Sequence, residues 1–248
     1  MKWTPEQLLQ LPTKDGFFLR GDNMSRVETF VAAAFAFLLT MVMVAGNEIP
    51  KSIAEFQLAV LNIPAFSVSA LQIIWIWYEH AVWSRRYGLE DAWTIVLSGS
   101  LIVIVLTYVY PLKAMAAGFF SWISDGFFPS NMTVNSEDEI RFLFYFFSSG
   151  FFALALNLWA MHKLALARAR QLQLTDWEIY QTKTQAMSWL VIMITSLLSI
   201  LLTTILEGNT IAFAGIIYAS FGITLTLLHS MRAKNAPSLQ VIEKAIES

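Results

Sequence analysis

Apolar and polar positions along this chain fall into long blocks rather than into short alternations. The first apolar block, about 27–45, follows a polar, basic lead-in ending at Arg26 and Glu28 and runs for 17 residues without a charge. At about 1.5 Å rise per residue, that length approaches the roughly 30 Å of a bilayer's hydrocarbon core. Further blocks follow at about 64–84, 140–161, 186–206 and 210–230. A long one opens at Glu90 and Asp91 and runs through WTIVLSGSLIVIVLTYVYPLKAMAAGFF, with Pro111 as a kink or an end. The pattern predicts an all-α integral membrane protein with six transmembrane helices. GNEIPKSIAEFQLAVLNIP reads as a loop punctuated by Pro50 and Pro64, and 124–139 reads as the longest exposed loop. Residues 1–25 form a lead-in, 26–231 the six-helix transmembrane domain and 232–248 a polar, solvated tail. No second copy of the opening stretch is present, so no internal repeat is detected.

The first predicted helix has unlike sides. One line carries Arg26, Phe30, Ala33, Phe37, Met41 and Val44; a neighbouring line carries Ala32, Ala36, Thr40 and Met43. Small residues let another backbone approach, whereas large apolar ones can plug a gap. Such a helix is suited to lining, and closing, a shared axis in an oligomer.

Composition agrees with the block pattern. Hydrophobic residues make up 56% of the chain, charged residues only 14%, and mean hydropathy is +0.57. A soluble domain averages roughly 25% charged, so the surplus apolar surface calls for lipid. A net charge of -2, with no basic cluster interleaved with aromatics, gives no case for nucleic acid. The absence of cysteine excludes disulfides, thiolate nucleophiles and cysteine metal sites. MKWTPEQLLQLPTKDG is too polar for a signal peptide, which predicts that the first apolar run is retained as a helix.

Charge placement then sets the orientation. With six spans, 13 of the 16 Lys and Arg residues fall on one side, and only Lys51, Lys113 and Arg141 on the other. Basic residues stay cytoplasmic, so both termini are predicted there.

Little inside the spans can do chemistry. Glu79, His80, His162 and His229 lie near predicted cytoplasmic helix ends and Glu207 near an outer one. Coupled transporters place ionisable groups at mid-membrane, where ions or protons are handled. No carboxylate pair, His-x-x-x-His spacing, Gly-rich phosphate loop or Gly-x-Ser-x-Gly elbow occurs, which disfavours an enzyme and offers no cofactor or metal site. The Thr-Val-Gly-Tyr-Gly filter, whose carbonyls replace an ion's water shell, is also missing.

The stretch GFFLRGDNMSRVETFVAAAFAFLLTMVMV resembles the first helix of the transmembrane protein 175 family, potassium-permeable channels without a P-loop filter. The family hallmark is an arginine followed after three residues by Phe-Ser-Asp, then a small-apolar run with a threonine. Arg26, Phe30, Ala36 and Thr40 match it. IPAFSVSALQIIWIWYEHAVWSRRYGLEDAW is similar to the family's second helix, with its tryptophan, its histidine and the basic residues that follow. The resemblance covers about residues 16–112 and is architectural beyond. It implies a homotetramer around the first helix, K⁺ as the permeant ion and a bacterial inner membrane. It also implies a pore constriction at Phe37, Met41 and Ala45, with Ala36 and Thr40 lining the pore. Arg26, Glu28, Trp77 and His80 are implied as the network that holds the first helix. Val31 and Ala32 stand where the family has Ser-Asp, so Arg26 is left without the family's carboxylate and needs Glu28, Glu79 or a backbone carbonyl instead.

Plainer readings exist for the same residues. Arg26 and Glu28 also suit an ordinary membrane interface at a helix start, and Trp75, Trp77 and Trp83 an aromatic belt. Phe37 and Met41 also suit packing or lipid, and the alanines 32–34 tight helix packing. The histidines suit helix C-termini, where the dipole favours a cation; in the matched region, His80 could also make opening pH-sensitive. The alternative to a channel is a non-conducting membrane scaffold or regulator with the same fold, favoured by Ala32 and Phe37.

Overall fold

The computed structural model describes residues 3–44, 49–130 and 132–237. Ala45 lies outside the described residues. The lead-in is folded rather than trailing. It contains a short helix α1 (Pro5–Leu9), capped by Thr4 and Gln7, and a two-residue ladder pairing β1 (Thr13–Lys14) with β2 (Phe17–Phe18). That hairpin is a small departure from the all-α expectation; Phe17 and Phe18 are buried and anchor it.

The first span is α2 (Arg26–Val44). The stretch expected as a loop after it contains α3 (Ile53–Leu61), capped by Ser52, and α3 meets α4 (Ile63–Tyr87) at a bend of 46°. The break has a local cause. Pro64 lacks an N–H and its ring crowds the preceding turn, while the Asn62 side-chain amide donates to the Leu58 carbonyl at 3.1 Å.

Helix α5 (Ala92–Ile123) starts at an Asp91 cap and continues through Pro111, where the sequence suggested a kink or an end. Membrane helices tolerate proline because neighbouring helices re-satisfy the freed carbonyl. Helix α6 (Glu137–Ala167) is followed by the short α7 (Ala169–Leu172) and by α8 (Asp176–Ile205). The expected fifth span opened about ten residues later than α8 does. The difference is a Thr175–Glu178 capping box that starts the helix before its apolar run begins. The last span is uneven: a 3₁₀ turn (Gly208–Ala212), α9 (Phe213–Ile216), a second 3₁₀ turn (Ile217–Ser220) and α10 (Phe221–Ala233). Among the described residues, five helices are long and apolar enough to cross a membrane, or six spans when the bent α3–α4 pair is taken as one.

Helices α6 and α8 form the central pair, joined by the Ser148 and Ser199 hydroxyls at 2.8 Å. Helix α5 packs on α6, α4 on α5, and α10 on α8. Helix α2 leans on α4 and α5 and stands at the flank of the bundle.

One end of the bundle collects the basic side chains. Arg86 lies over the Phe17 ring at 4.2 Å, Arg168 pairs with Asp91 at 2.9 Å, and Arg232 stacks on Tyr180 at 3.8 Å. Arg232 also donates to the Thr184 hydroxyl at 3.0 Å, so the residue expected to open a solvated tail is docked on α8.

Candidate functional site

Helix α2 is two-faced. Glu28, Val31, Phe35, Leu38 and Val42 recur at spacings of three and four and are buried against α4 and α5. The other face carries Arg26, Phe30, Ala33, Ala36, Phe37, Thr40 and Val44, all exposed in the single chain. Phe30 is 68% exposed and Phe37 is 62% exposed. Met41 is half-buried against the core and so turns partly away from Phe37. Thr40 donates its hydroxyl to the Phe37 carbonyl at 2.7 Å, which leaves its oxygen lone pairs for the outward side.

The buried face is pinned by polar contacts as well as packing. The Ser84 hydroxyl of α4 donates to the Glu28 carboxylate at 3.2 Å, and the Glu28 amide is capped by the Ser25 hydroxyl at 3.0 Å. His80 is buried with Nε2 3.0 Å from the Ser98 hydroxyl of α5. Trp77 is 37% exposed. Arg26 faces a cavity beside Ser98 and makes no ion pair among the described residues. Of the residues expected to hold the first helix, Glu28 ties α2 to α4 through Ser84, whereas His80 ties α4 to α5 through Ser98. They do not join Arg26 and Trp77 in one hydrogen-bonded cluster. His162 is buried and donates from Nδ1 to the Leu158 carbonyl at 2.8 Å, and His229 meets the Ser188 hydroxyl at 3.0 Å.

The strongest polar constellation lies just upstream of α2. Arg20 and Glu178 form a fully buried bidentate pair at 2.6 and 2.9 Å. Arg20 also donates to the carbonyls of Leu172, Phe18 and Gln173, while Glu178 accepts from the amides of Phe18 and Thr175. Every polar atom of the pair is engaged, the condition under which a buried ion pair is tolerated. Next to it the Gly21 amide donates to the Arg85 carbonyl at 3.0 Å, and Gly88 caps α4 at φ 56° with its Cα against Gly21. A Cβ on Gly21 would strike the Ser84 carbonyl oxygen, and one on Gly88 the Arg20 carbonyl.

The lead-in is therefore a strap that ties the ends of α4, α7 and α8 to the first turn of α2. Sequence reasoning missed it. Two signals were present: Thr-Asp-Trp-Glu at 175–178 spells a capping box, and Arg20 sits alone in the otherwise uncharged Phe-Phe-Leu-Arg-Gly. Among the described residues, no group of three or more His, Asp or Glu is placed to hold a metal.

No protein-family model matches the chain. A protein of Marivirga tractuosa named "Potassium channel" is 32% identical over 195 residues, covering 76% of this chain and 78% of the relative. A crystal structure of a variant of the potassium channel MtTMEM175, solved with a nanobody-MBP fusion protein, superposes with a TM-score of 0.78 at 28% identity. It spans 90% of this chain and all of that one. The chain belongs to the transmembrane protein 175 family. The relatives are named as channels and not as enzymes, in keeping with the lack of a catalytic motif in the sequence. In this transmembrane protein 175 member, the Ser-Asp of the family hallmark is replaced by a buried Val31 and a half-buried Ala32. The carboxylate that reaches from α2 to α4 is instead that of Glu28, one turn earlier.

Proposed function

We propose that this chain is a subunit of a potassium-permeable cation channel, assembled as a homotetramer with α2 of each subunit around a common axis. The observation that carries this reading is the outward stripe of α2, in a chain that belongs to a family whose named relatives are potassium channels. A helix at the flank of its own bundle, packed on one face and bare on the other, is placed to meet copies of itself.

Phe37 forms the tightest ring of the pore, with Met41 and Ala45 as the next apolar layers; Ala36 and Thr40 line the wall. A narrow apolar ring excludes water and makes a passing ion shed part of its shell. Na⁺ is smaller than K⁺ and holds its water more tightly, so it meets the higher barrier. Glu28 and His80, with Arg26 and Trp77 nearby on the same helices, hold the end of α2. Both termini lie in the cytoplasm of a bacterial inner membrane, with lipid around the bundle and no cofactor. Clustering of basic side chains at the end that carries the lead-in and the close of α10 supports this orientation.

Purified protein in K⁺-loaded liposomes tests the reading. Wild type is expected to pass K⁺ when an ionophore supplies counter-flux, and Phe37→Ala to pass more K⁺ with a weaker preference over Na⁺. Silence in both would favour a non-conducting scaffold with the channel fold. A silent wild type with a conducting variant would indicate a closed pore.

A further inference from the structure

Helix α2 leans on α4 and α5, and the strap brings α8 to bear on it as well. The Arg20 guanidinium holds Glu178 in the first turn of α8 and the Leu172 and Gln173 carbonyls that close α7. The next turns of α8 take Arg232 of α10, through the Thr184 hydroxyl and the Tyr180 carbonyl. From Arg20 to Arg26 the chain has little slack. Gly21 donates to the Arg85 carbonyl and lies against that of Ser84. The exposed Asp22, Asn23 and Met24 then lead to Ser25, which caps α2. Even fully extended, the step from Gly21 to Arg26 covers at most about 18 Å. Ser84 serves both fastenings of α2, since its hydroxyl donates to Glu28 while its carbonyl meets Gly21.

In a tetrameric pore four such helices face one another with Phe30, Ala33 and Phe37 inward. Apolar side chains around a wet axis gain by closing on one another, so an open ring needs a restraint on helix position. We propose that Arg20 and Glu178 are positioning residues of the gate: the strap holds the inner end of α2 back on its own subunit and so keeps the Phe37 ring from shutting. Phe37 lies about three turns along α2 from Arg26, and an inward swing of the first turn carries the ring with it. The inference rests on the reading of α2 as the pore helix.

The test lengthens the tether and leaves the ion pair alone. Gly-Ser-Gly-Ser is inserted between Asn23 and Met24 of the full chain, and the protein is reconstituted for single-channel recording. Open probability is expected to fall about fivefold or more, the lower end of ordinary coupling between sites, with melting temperature, unitary K⁺ current and K⁺ over Na⁺ preference near wild type. Glu178→Gln is expected to lower open probability in the same way, together with stability. Arg20→Lys, which keeps the charge and loses the bidentate fork, is expected to fall between. The same insertion between Asp125 and Gly126, in the loop at the other end of the bundle, is expected to gate as wild type does. Hydrogen–deuterium exchange on residues 26–33 is expected to speed up with the insertion after Asn23, whether or not current flows. Unchanged exchange there overturns the proposal even in a conducting channel. So does an unchanged or raised open probability, or an equal loss from the insertion after Asp125. A melting temperature lowered as far as by Glu178→Gln would make the tether merely structural and overturn it too. A wild type without current sinks the pore reading instead, and the exchange rates then still decide whether the strap holds α2.

Discussion

Arg20 and Glu178 are the residues whose loss this fold can least absorb. Each is buried, and each would leave the other charged and unpaired if removed. Breaking such a pair costs about 3–5 kcal/mol. Arg20→Met and Glu178→Gln are each expected to lower the unfolding midpoint strongly. The double Arg20→Met/Glu178→Met variant is expected to lose less than the sum of the singles, measured by denaturant or thermal unfolding in detergent. Asp91 gives a milder, pH-dependent effect. Partial burial alone would raise its pKa, but the Thr94 amide and hydroxyl and the Arg168 guanidinium outweigh that and hold it below the ordinary aspartate value of 3.8. A depressed folded pKa means stabilisation that is present above the unfolded value and lost as pH falls through the folded one. Asp91→Asn is therefore expected to melt below wild type at neutral pH, and the gap to close on acidification. The sequence showed both acids but could not pair them. Arg20 and Glu178 are 158 residues apart, and nothing local in the strap announces where its arginine points.

At the scale of elements, the span that mattered most was the most legible. The length of α2, its basic start and the contrast between its two faces follow from spacing alone, because a helix repeats every 3.6 residues and lipid and protein both accept apolar side chains. What spacing could not decide was which apolar face is inside. Val31, Phe35, Leu38 and Val42 are as hydrophobic as Phe30 and Phe37, and only the packing of α4 and α5 separates them. Helix α3 was hidden by Pro50 and Pro64, read as loop punctuation, although proline also marks helix starts; Pro64 occupies the first turn of α4. The junction of strap and α4 makes a further prediction. Gly88 holds a left-handed conformation against the Arg20 carbonyl, so Gly88→Ala adds about 1–2 kcal/mol of backbone strain and a clash. The expected result is a strap that protease cuts between residues 3 and 25 under conditions where wild type resists.

For the whole molecule, the flank position of α2 and the gathering of bases at one end bear on assembly and orientation. The proposed homotetramer predicts that the purified channel runs as a tetramer by light scattering. Single cysteines placed at Trp3 and Arg232 are expected to react with a membrane-impermeant thiol reagent only from the cytoplasmic side, in a chain that has no native cysteine. Helix count and charge asymmetry were readable because bilayer thickness imposes them on any sequence. The strap also bears on biosynthesis. The α2 segment leaves the ribosome early, yet the carboxylate that neutralises Arg20 is made 158 residues later, roughly 8–32 s at about 5–20 residues per second. Until then the guanidinium has no buried partner and the strap no reason to close. The strap is thus among the last elements to be locked, and a chain truncated before Glu178 leaves it open and visible to quality-control proteases.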